Sequence, residues 1–325
     1  MSKRETFDTF NYVKKTFNWS KTKKYYGYSK HDALNSPLLK FASLGNRFLR
    51  LAITQVVMRS PVNIRPLLMV PEGLNPKGIG LFAHAYCDLK VFLDKHPDFD
   101  TNHMAEYCVS ETDSLLSWLD IHASPWTSPH RSHDIDPLKG KGWGYHYPWQ
   151  DVGFFQPAHF PNRVVTSWIG FAYIRAYEMT GDPKYLQTAD DIGIFLLNNP
   201  NKIVDEPEQL CLSYVPLATV TWAVMDVSAL AAAMCMRLMH HLKESKPDRS
   251  ELYRKGAHRL MAFVVDKQEE YGGWFYTWPS KDSHIKHDNY HTGIILDCLA
   301  DYMSYSKDFE YLEVYRKGLD YYREN

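Results

Sequence analysis

Apolar residues recur at the three- to four-residue spacing of helices along most of the chain, whereas the alternation typical of strands is scarce. Short connections such as residues 180–183 separate these segments in pairs, so consecutive helices are expected to form antiparallel hairpins. The pattern therefore predicts an all-α protein. It predicts nine helices after residue 30, over residues 38–58, 75–93, 103–122, 162–179, 184–197, 217–242, 250–269, 290–304 and 309–322.

A repeat of about 62 residues runs through the helical region, since Tyr-Arg-Lys-Gly at residues 253–256 recurs at residues 315–318. Each unit pairs an apolar helix with a more amphipathic one, which indicates an inner ring of helices wrapped by an outer ring. This is an (α/α) toroid of the six-hairpin glycosidase type. Six hairpins need twelve helices, so either the N-terminal residues supply a helix, or the ring is incomplete at its C-terminal end, or the chain is truncated. An open ring would expose apolar flanks and favour an oligomer.

Residues 1–30 differ in kind and are expected to form a basic, aromatic arm ahead of a toroid domain over residues 31–325. The arm holds eight Lys and Arg residues against two acidic residues, and Phe10, Val13 and Phe17 fall on one helical face. Two interpretations are open: peripheral contact with an anionic membrane surface, or packing of the aromatic side chains on the outside of the toroid. We favour the second.

Composition narrows the class of protein. The chain has 325 residues and a formal net charge of −1, which argues against a nucleic-acid partner. The five cysteines are odd in number and lack Cys-x-x-Cys spacing, so we expect a reduced, cytoplasmic protein, with the inner face of the membrane as the alternative location. The apolar run at residues 217–239 contains Asp226 and Arg237, which favours a buried helix over a membrane span.

Aromatic residues make up 14% of the chain, and many of them precede predicted inner helices. The three aromatic loops cover residues 142–151, 211–214 and 272–291. Because all inner helices of a toroid run in the same direction, these loops should meet at one mouth. The N-terminal dipoles of the helices favour an anionic group there, and aromatic side chains suit sugar rings. The pattern therefore predicts a glycan partner with an acidic sugar such as a uronate.

Proton abstraction next to a carboxylate can use Tyr and His side chains, which the loops supply in excess. The candidate catalytic residues are Tyr145, His146, Tyr214, Asp288, Tyr290 and His291. The candidate substrate-binding residues are Trp143, Trp149, Gln150, Asp151, Arg163, Trp274, Tyr276 and Asn289. Among these, Arg163 would pair with a uronate carboxylate through two hydrogen bonds.

Other interpretations remain open at this point. A glycoside hydrolase could use Asp151 and Asp288 as its two carboxylates. A non-catalytic glycan-binding or scaffold protein is a further alternative. His284, His287 and His291 invite a metal site, but Asp288 is placed to cap the following helix, so we expect a capped helix start, no metal and no cofactor.

Residues 268–274 fit the Gln-x-x-x-Gly-x-Trp turn of triterpene cyclases, a motif that staples helical hairpins and performs no chemistry. A cyclase would also need a catalytic acidic cluster, which the chain lacks. The motif therefore supports the helical architecture.

Five stretches together resemble a bacterial family of helical proteins encoded among capsule and O-antigen polysaccharide genes. They are residues 26–37, 60–68, 142–150, 211–216 and 288–293 (Asp-Asn-Tyr-His-Thr-Gly), the last being the most specific. The resemblance implies a six-hairpin toroid, distantly similar to the helical domain of glucuronyl epimerases, which invert carbon 5 of uronates with tyrosines. It also implies polysaccharide biosynthesis, with a glycan or a lipid-linked saccharide as partner. The family pattern leads us to expect an acid near residues 145–147, where this chain has His146, which weakens the hydrolase alternative.

Overall fold

The computed structural model of the protein describes residues 3–101, 103–127, 138–283, 285 and 287–325. Eleven α-helices account for most of these residues. They are α1 (Lys3–Thr22), α2 (Pro37–Ala42), α3 (Arg47–Arg59), α4 (Pro76–Lys95), α5 (Met104–Ile121), α6 (Arg163–Thr180), α7 (Pro183–Asn198), α8 (Met225–Leu242), α9 (Pro247–Asp266), α10 (Asn289–Ser306) and α11 (Leu312–Glu324).

Within the described parts of the chain, six short strands lie in the connections between helices and form three two-stranded antiparallel ladders. These pair β1 (Trp149–Gln150) with β2 (Phe155–Gln156), β3 (Lys202–Asp205) with β4 (Leu210–Leu212), and β5 (Ala223–Val224) with β6 (Thr277–Trp278). Among the described residues, no helix is long and apolar enough to cross a membrane.

The chain forms two compact units. The first comprises residues up to 79 together with 145–158, and the second comprises residues 80–144 and 159–325. The first unit therefore holds α1 to α3 and the β1–β2 ladder, and the second holds α5 to α11 and most of α4. The expected division into an arm and a toroid at residue 30 stays a prediction.

Within the second unit the helices form hairpins of an inner and an outer helix. Between α6 and α7, Gly181 adopts the left-handed conformation that ends one helix, and the Asp182 side chain caps the next. The inner helices α6, α8 and α10 are 18 residues long each, and most positions of α8 are buried. Gly170 of α6 lies so close to Met234 of α8 that a Cβ atom there would come within 2.6 Å of the Met234 side chain. The inner helices are thus in direct contact.

A network of ion pairs joins the inner helices near their C-terminal ends. Arg175 Nε lies 2.7 Å from Asp88 Oδ1, and Arg237 Nε lies 2.9 Å from Asp301 Oδ2. Each of these four residues is twelve positions after the first residue of its helix, α6, α4, α8 or α10. Because equivalent positions meet, the four inner helices run parallel with their C-terminal ends at one level.

Glu178 lies at the centre of this network. His241 Nε2 is 2.9 Å from Glu178 Oε1, and the Tyr305 hydroxyl donates to the same oxygen at 2.6 Å. Burial acts to raise the pKa of the Glu178 carboxyl, but the hydrogen bonds from His241 and Tyr305 outweigh it and hold the pKa at about 2. Glu178 is therefore ionised at neutral pH and links α6 to α8 and α10.

Two predicted helix boundaries were wrong. The helix expected over residues 38–58 is divided into α2 and α3, because Leu44 and Gly45 adopt left-handed conformations and the Asn46 side chain caps a new helix. The helix expected from Leu217 begins only at Met225, because the apolar residues before it form β5 and pair with β6, far along the chain. Local periodicity does not reveal such a distant partner.

Candidate functional site

Loops from successive repeats close the starts of the inner helices in the second unit. The backbone N–H of Arg163, at the start of α6, donates to the carbonyl of Tyr214 at 3.0 Å. The N–H of Met225, at the start of α8, donates to the carbonyl of Tyr276 at 3.0 Å. Both donors lie 51 residues before their acceptors, so the repeat places Tyr214 and Tyr276 at equivalent helix starts. Trp143 also lies here, and its carbonyl accepts from Asn162 N at 3.0 Å.

Asp288 and His291 form a pair at the start of α10. Asp288 is the N-cap residue, and its Oδ1 accepts from the backbone N–H of His291 at 2.7 Å. Its Oδ2 lies 2.7 Å from Nδ1 of the His291 ring. A carboxylate at this distance favours the tautomer with hydrogen on Nδ1, which leaves Nε2 as the nitrogen that can take a proton. The expectation of a capped helix start at Asp288 is confirmed.

Two tyrosines flank this pair. The ring of Tyr276 lies 4.5 Å from the ring of His291, centroid to centroid, and Tyr290 is exposed beside it. Desolvation, together with the carboxylates of Asp226 and Asp288, raises the pKa of Tyr290. Its phenol therefore keeps its proton at neutral pH and can donate it.

Asp226 belongs to this site although sequence reasoning did not select it. It is the second residue of α8, is buried, and raises the pKa of Tyr290 through its charge. The available signal was an acidic residue within the first turn of an otherwise apolar helix, where a carboxylate is favoured by the helix dipole. Together, Asp226 and Asp288 place negative charge at two helix starts. This charge offsets the positive electrostatic potential that the N-terminal helix dipoles alone would produce there.

Arg163 does not fit the expected role of binding a uronate. The side chain is fully buried, and its guanidinium donates to the carbonyls of Ser213 and Pro200, both at 2.9 Å, and to the Ser213 hydroxyl at 2.7 Å. These bonds tie the start of α6 to the loops around β3 and β4. The arginine therefore holds the fold together and is closed to solvent.

Trp143 and Trp274 are also core residues and present no surface for a sugar. Their indole N–H groups donate to the carbonyls of Leu119 and Val264, at 2.8 and 2.9 Å. In the same motif as Trp274, the Gln268 amide donates to the carbonyl of Val314 in α11 at 2.9 Å. The motif thus connects two hairpins, as its resemblance to the triterpene-cyclase turn implies.

The remaining aromatic loop forms a cluster within the first unit. Trp149 stacks on His31 with ring centroids 5.5 Å apart and meets the edge of Tyr145 at 6.0 Å. Burial, with a smaller contribution from Lys30, lowers the pKa of His31 to about 4, so the stacked imidazole is neutral at pH 7. Tyr145 and Trp149 therefore share one surface, as expected for residues of a single loop.

Two neighbouring candidates, Gln150 and His146, hold this first-unit loop in place. The Gln150 amide donates to the carbonyls of Asp151 and Phe154, both at 2.9 Å, and Gln150 is buried. His146 packs on Gly73 so closely that a Cβ there would lie 2.5 Å from the imidazole. In the second unit, Asn289 Nδ2 lies 3.5 Å from the carbonyl of Tyr322 in α11.

The histidines considered as metal ligands do not converge. His287 Nε2 lies 2.6 Å from the Tyr271 hydroxyl and its Nδ1 lies 3.1 Å from the Trp274 carbonyl, whereas His291 pairs with Asp288. His284 lies outside the described residues. No grouping of three His, Cys, Asp or Glu side chains suited to a metal ion occurs within the described parts of the chain.

Comparison with known proteins places the chain by its fold. No protein-family profile matches it, and no curated protein matches its sequence. It is similar to a family 76 glycoside hydrolase from a bovine Bacteroides thetaiotaomicron strain, with a TM-score of 0.53 and 13% identity over 77% of this chain and 48% of that one. It is similar to a D-mannose isomerase, with a TM-score of 0.51 and 12% identity over 90% of this chain and 74% of that one.

A second hydrolase, the family 76 alpha-mannanase of Bacteroides thetaiotaomicron, gives a TM-score of 0.49 and 15% identity over 76% of this chain and 60% of that one. The chain thus spans less than two thirds of both hydrolases. At these identities the similarity concerns the fold, and it confirms the expected all-α, (α/α)-toroid class.

Proposed function

We propose that the protein is a carbohydrate-active enzyme that abstracts a proton next to the carboxylate of a uronate, in the manner of an epimerase or a lyase. The observation that carries this proposal is the pair formed by Asp288 Oδ2 and His291 Nδ1, 2.7 Å apart, beside the exposed phenol of Tyr290. A carboxylate that orients an imidazole is a common way to prepare a general base.

The proposed step uses both residues. Nε2 of His291 takes the proton from carbon 5, and the electron pair of that C–H bond moves into the carboxylate to form an enediolate. The Asp288 carboxylate stabilises the imidazolium that results. In an epimerase, the phenol of Tyr290 then returns a proton to the opposite face of carbon 5. In a lyase, the electron pair instead forms a double bond between carbons 4 and 5 and breaks the C4–O4 bond, and the departing oxygen 4 takes the phenol proton of Tyr290.

The substrate is a uronate unit of a growing polysaccharide or of its lipid-linked precursor, handled in the cytoplasm. Support comes from the sequence resemblance to capsule and O-antigen proteins. The fold-similar D-mannose isomerase acts, by its name, on a sugar. Because Asp226 and Asp288 place negative charge near His291, the test must include neutral sugars beside uronates.

The proposal is tested by incubating the full chain in heavy water with oligosaccharides that contain uronates, and separately with mannose and mannose-containing oligosaccharides. The expected result is deuterium at carbon 5 of a uronate without new reducing ends for an epimerase, or new reducing ends together with a 4,5-unsaturated uronate for a lyase. His291→Ala should abolish either result, and Tyr290→Phe should abolish inversion at carbon 5, because Tyr290 returns the proton to the opposite face. His103→Ala is the matched control, because the His103 side chain is exposed and lies at the start of α5.

Three other outcomes would overturn the proposal. New reducing ends without deuterium and without a 4,5-unsaturated uronate would indicate a glycoside hydrolase, with Asp151 and Asp288 as the residues to test. Deuterium incorporated only into neutral sugars would show that the substrate class is wrong. A glycan that binds but changes neither mass nor stereochemistry would indicate a binding or scaffold protein.

A further inference from the structure

An apolar surface faces solvent on helices α2 and α3 of the first unit. Its members are large hydrophobic side chains that are exposed on two consecutive helices and the turn between them. We name it the α2–α3 surface; it comprises Leu38, Phe41, Leu44, Phe48, Leu49 and Val56. Three of its side chains are almost fully exposed, with 79% for Phe41, 76% for Leu44 and 74% for Phe48. Soluble proteins rarely leave such a group of side chains uncovered.

The local backbone holds these side chains outward. Ser43 is buried, and its hydroxyl donates to the Lys40 carbonyl at 2.7 Å, which fixes the end of α2. Leu44 then adopts a left-handed conformation with φ of 49°, a backbone conformation that is unfavourable for leucine and is kept where it serves a function. The Asn46 side chain accepts from the N–H of Phe48 at 2.9 Å and begins α3.

Helix α3 exposes an apolar stripe to solvent, whereas a surface helix usually exposes a polar one. Thr54 and Val57 are buried on its inner side. Phe48, Ala52 and Val56, at a spacing of four, are exposed on its outer side. A helix whose exposed stripe is apolar is suited to an apolar environment outside the protein.

The charged residues within α2, α3 and the segments that flank them all have one sign. Residues 33–71 contain no Asp or Glu and five basic residues. Arg65 pairs with Asp32 at 2.8 Å, and Arg50 covers the ring of Phe155 at 4.1 Å. The other three, Lys40, Arg47 and Arg59, are exposed on the same two helices as the apolar side chains.

We propose that the α2–α3 surface binds the surface of a bilayer that contains anionic phospholipid. Phe41, Leu44 and Phe48 enter the boundary between headgroups and acyl chains, while Lys40 and Arg59 meet the phosphates. Apolar side chains among exposed cations are the features by which interfacial helices recognise anionic lipid. Helices of 6 and 13 residues are too short to span a bilayer, so this contact is peripheral. The inference stands independently of the proposed chemistry.

The test is co-sedimentation of the full chain with vesicles of phosphatidylcholine alone, and with vesicles that also contain phosphatidylglycerol. The expected result is binding to the anionic vesicles that weakens as salt is raised. Phe41→Ser combined with Phe48→Ser should weaken it at least about tenfold, since two aromatic insertions are lost. Lys40→Gln combined with Arg59→Gln should weaken binding and reduce its salt dependence.

The matched control is Tyr12→Ser combined with Trp19→Ser, which removes two equally exposed aromatic side chains from α1. If this control variant still binds the vesicles, the contact is assigned to the α2–α3 surface. If only this control variant loses binding, the contact is assigned to the arm and the proposal is overturned. Absence of binding to anionic vesicles would also overturn it. So would self-association that Phe41→Ser and Phe48→Ser abolish, because the surface would then be an interface between copies. Circular dichroism confirms that each variant is folded.

Discussion

Asp288 Oδ2 lies 2.7 Å from Nδ1 of His291, and the same carboxylate caps the helix that carries the histidine. The Asp288 side chain therefore has two roles: it caps the start of α10, and it orients the imidazole of His291. These roles can be separated by substitution, because an N-cap needs an oxygen acceptor whereas stabilising an imidazolium needs a negative charge.

The first prediction concerns Asp288→Asn. Asparagine caps helices as well as aspartate does, so stability should stay within about 0.5 kcal/mol of the wild type. Turnover of the uronate should fall by about a hundredfold or more, because the charge that supports the protonated ring is lost. Steady-state kinetics and thermal unfolding measure the two effects. Asp288→Ala should reduce both, and an Asp288→Asn protein with wild-type turnover would remove His291 from the role of base.

A second prediction separates structure from binding at Arg163. Arg163→Met removes buried hydrogen bonds to the Ser213 and Pro200 carbonyls and should lower the free energy of unfolding by about 3 kcal/mol. Urea denaturation measures this loss. If the variant were as stable as the wild type and had lost only uronate affinity, Arg163 would bind substrate after all.

Glu178 gives a prediction about pH. Its pKa is about 2 in the folded protein against 4.5 for the unfolded chain, because hydrogen bonds from His241 and Tyr305 outweigh the effect of burial. A lowered folded-state pKa contributes stability that is present above pH 4.5 and is lost as the pH falls toward 2. Denaturation at a series of pH values should show a loss on the order of 2 kcal/mol over that window. Glu178→Gln should flatten this dependence, and an unchanged slope would contradict the assignment.

The contact between neighbouring hairpins can be tested at Gly193 of α7. A Cβ atom there would lie 2.6 Å from the Tyr253 ring and from Leu238 Cδ1, so Gly193→Ala should destabilise the protein by about 1–3 kcal/mol. Gly78→Ala in α4 is the matched control. Its nearest neighbour would lie 3.8 Å away, so the higher helix propensity of alanine should stabilise by about 0.5–1 kcal/mol. Thermal unfolding of both variants measures the difference.

Local signals predicted much of the fold. The helix expected over residues 75–93 begins at Pro76, where Asn75 Oδ1 accepts from Lys77 N at 3.0 Å. The turn around Gly181 lies where the pattern predicted it. The two boundary errors had different causes. The division of the helix expected over residues 38–58 follows from a local turn in which Leu44 and Gly45 are left-handed. The late start of α8 depends on a strand more than fifty residues away, which no window on the sequence includes.

The candidate site was predictable in part for the same reason. Asp288 and His291 are three residues apart, so a cap and a base could be inferred from spacing alone. The structural role of Arg163 could not be inferred from spacing, because its hydrogen-bond acceptors come from loops some forty to fifty residues later. Asp226 was missed because its environment depends on Tyr290, far along the chain.

The carbonyls of Tyr214 and Tyr276 each complete a helix that began 51 residues earlier. The hairpins that begin with α6 and α8 are therefore each completed by residues of the following repeat. During synthesis α8 cannot acquire its final N-terminal hydrogen bond until Tyr276 has emerged from the ribosome. Replacing the segment that bears Tyr276 would likewise alter two neighbouring hairpins at once. Grafting one hairpin from another toroid would therefore require replacing the loop of the next repeat as well.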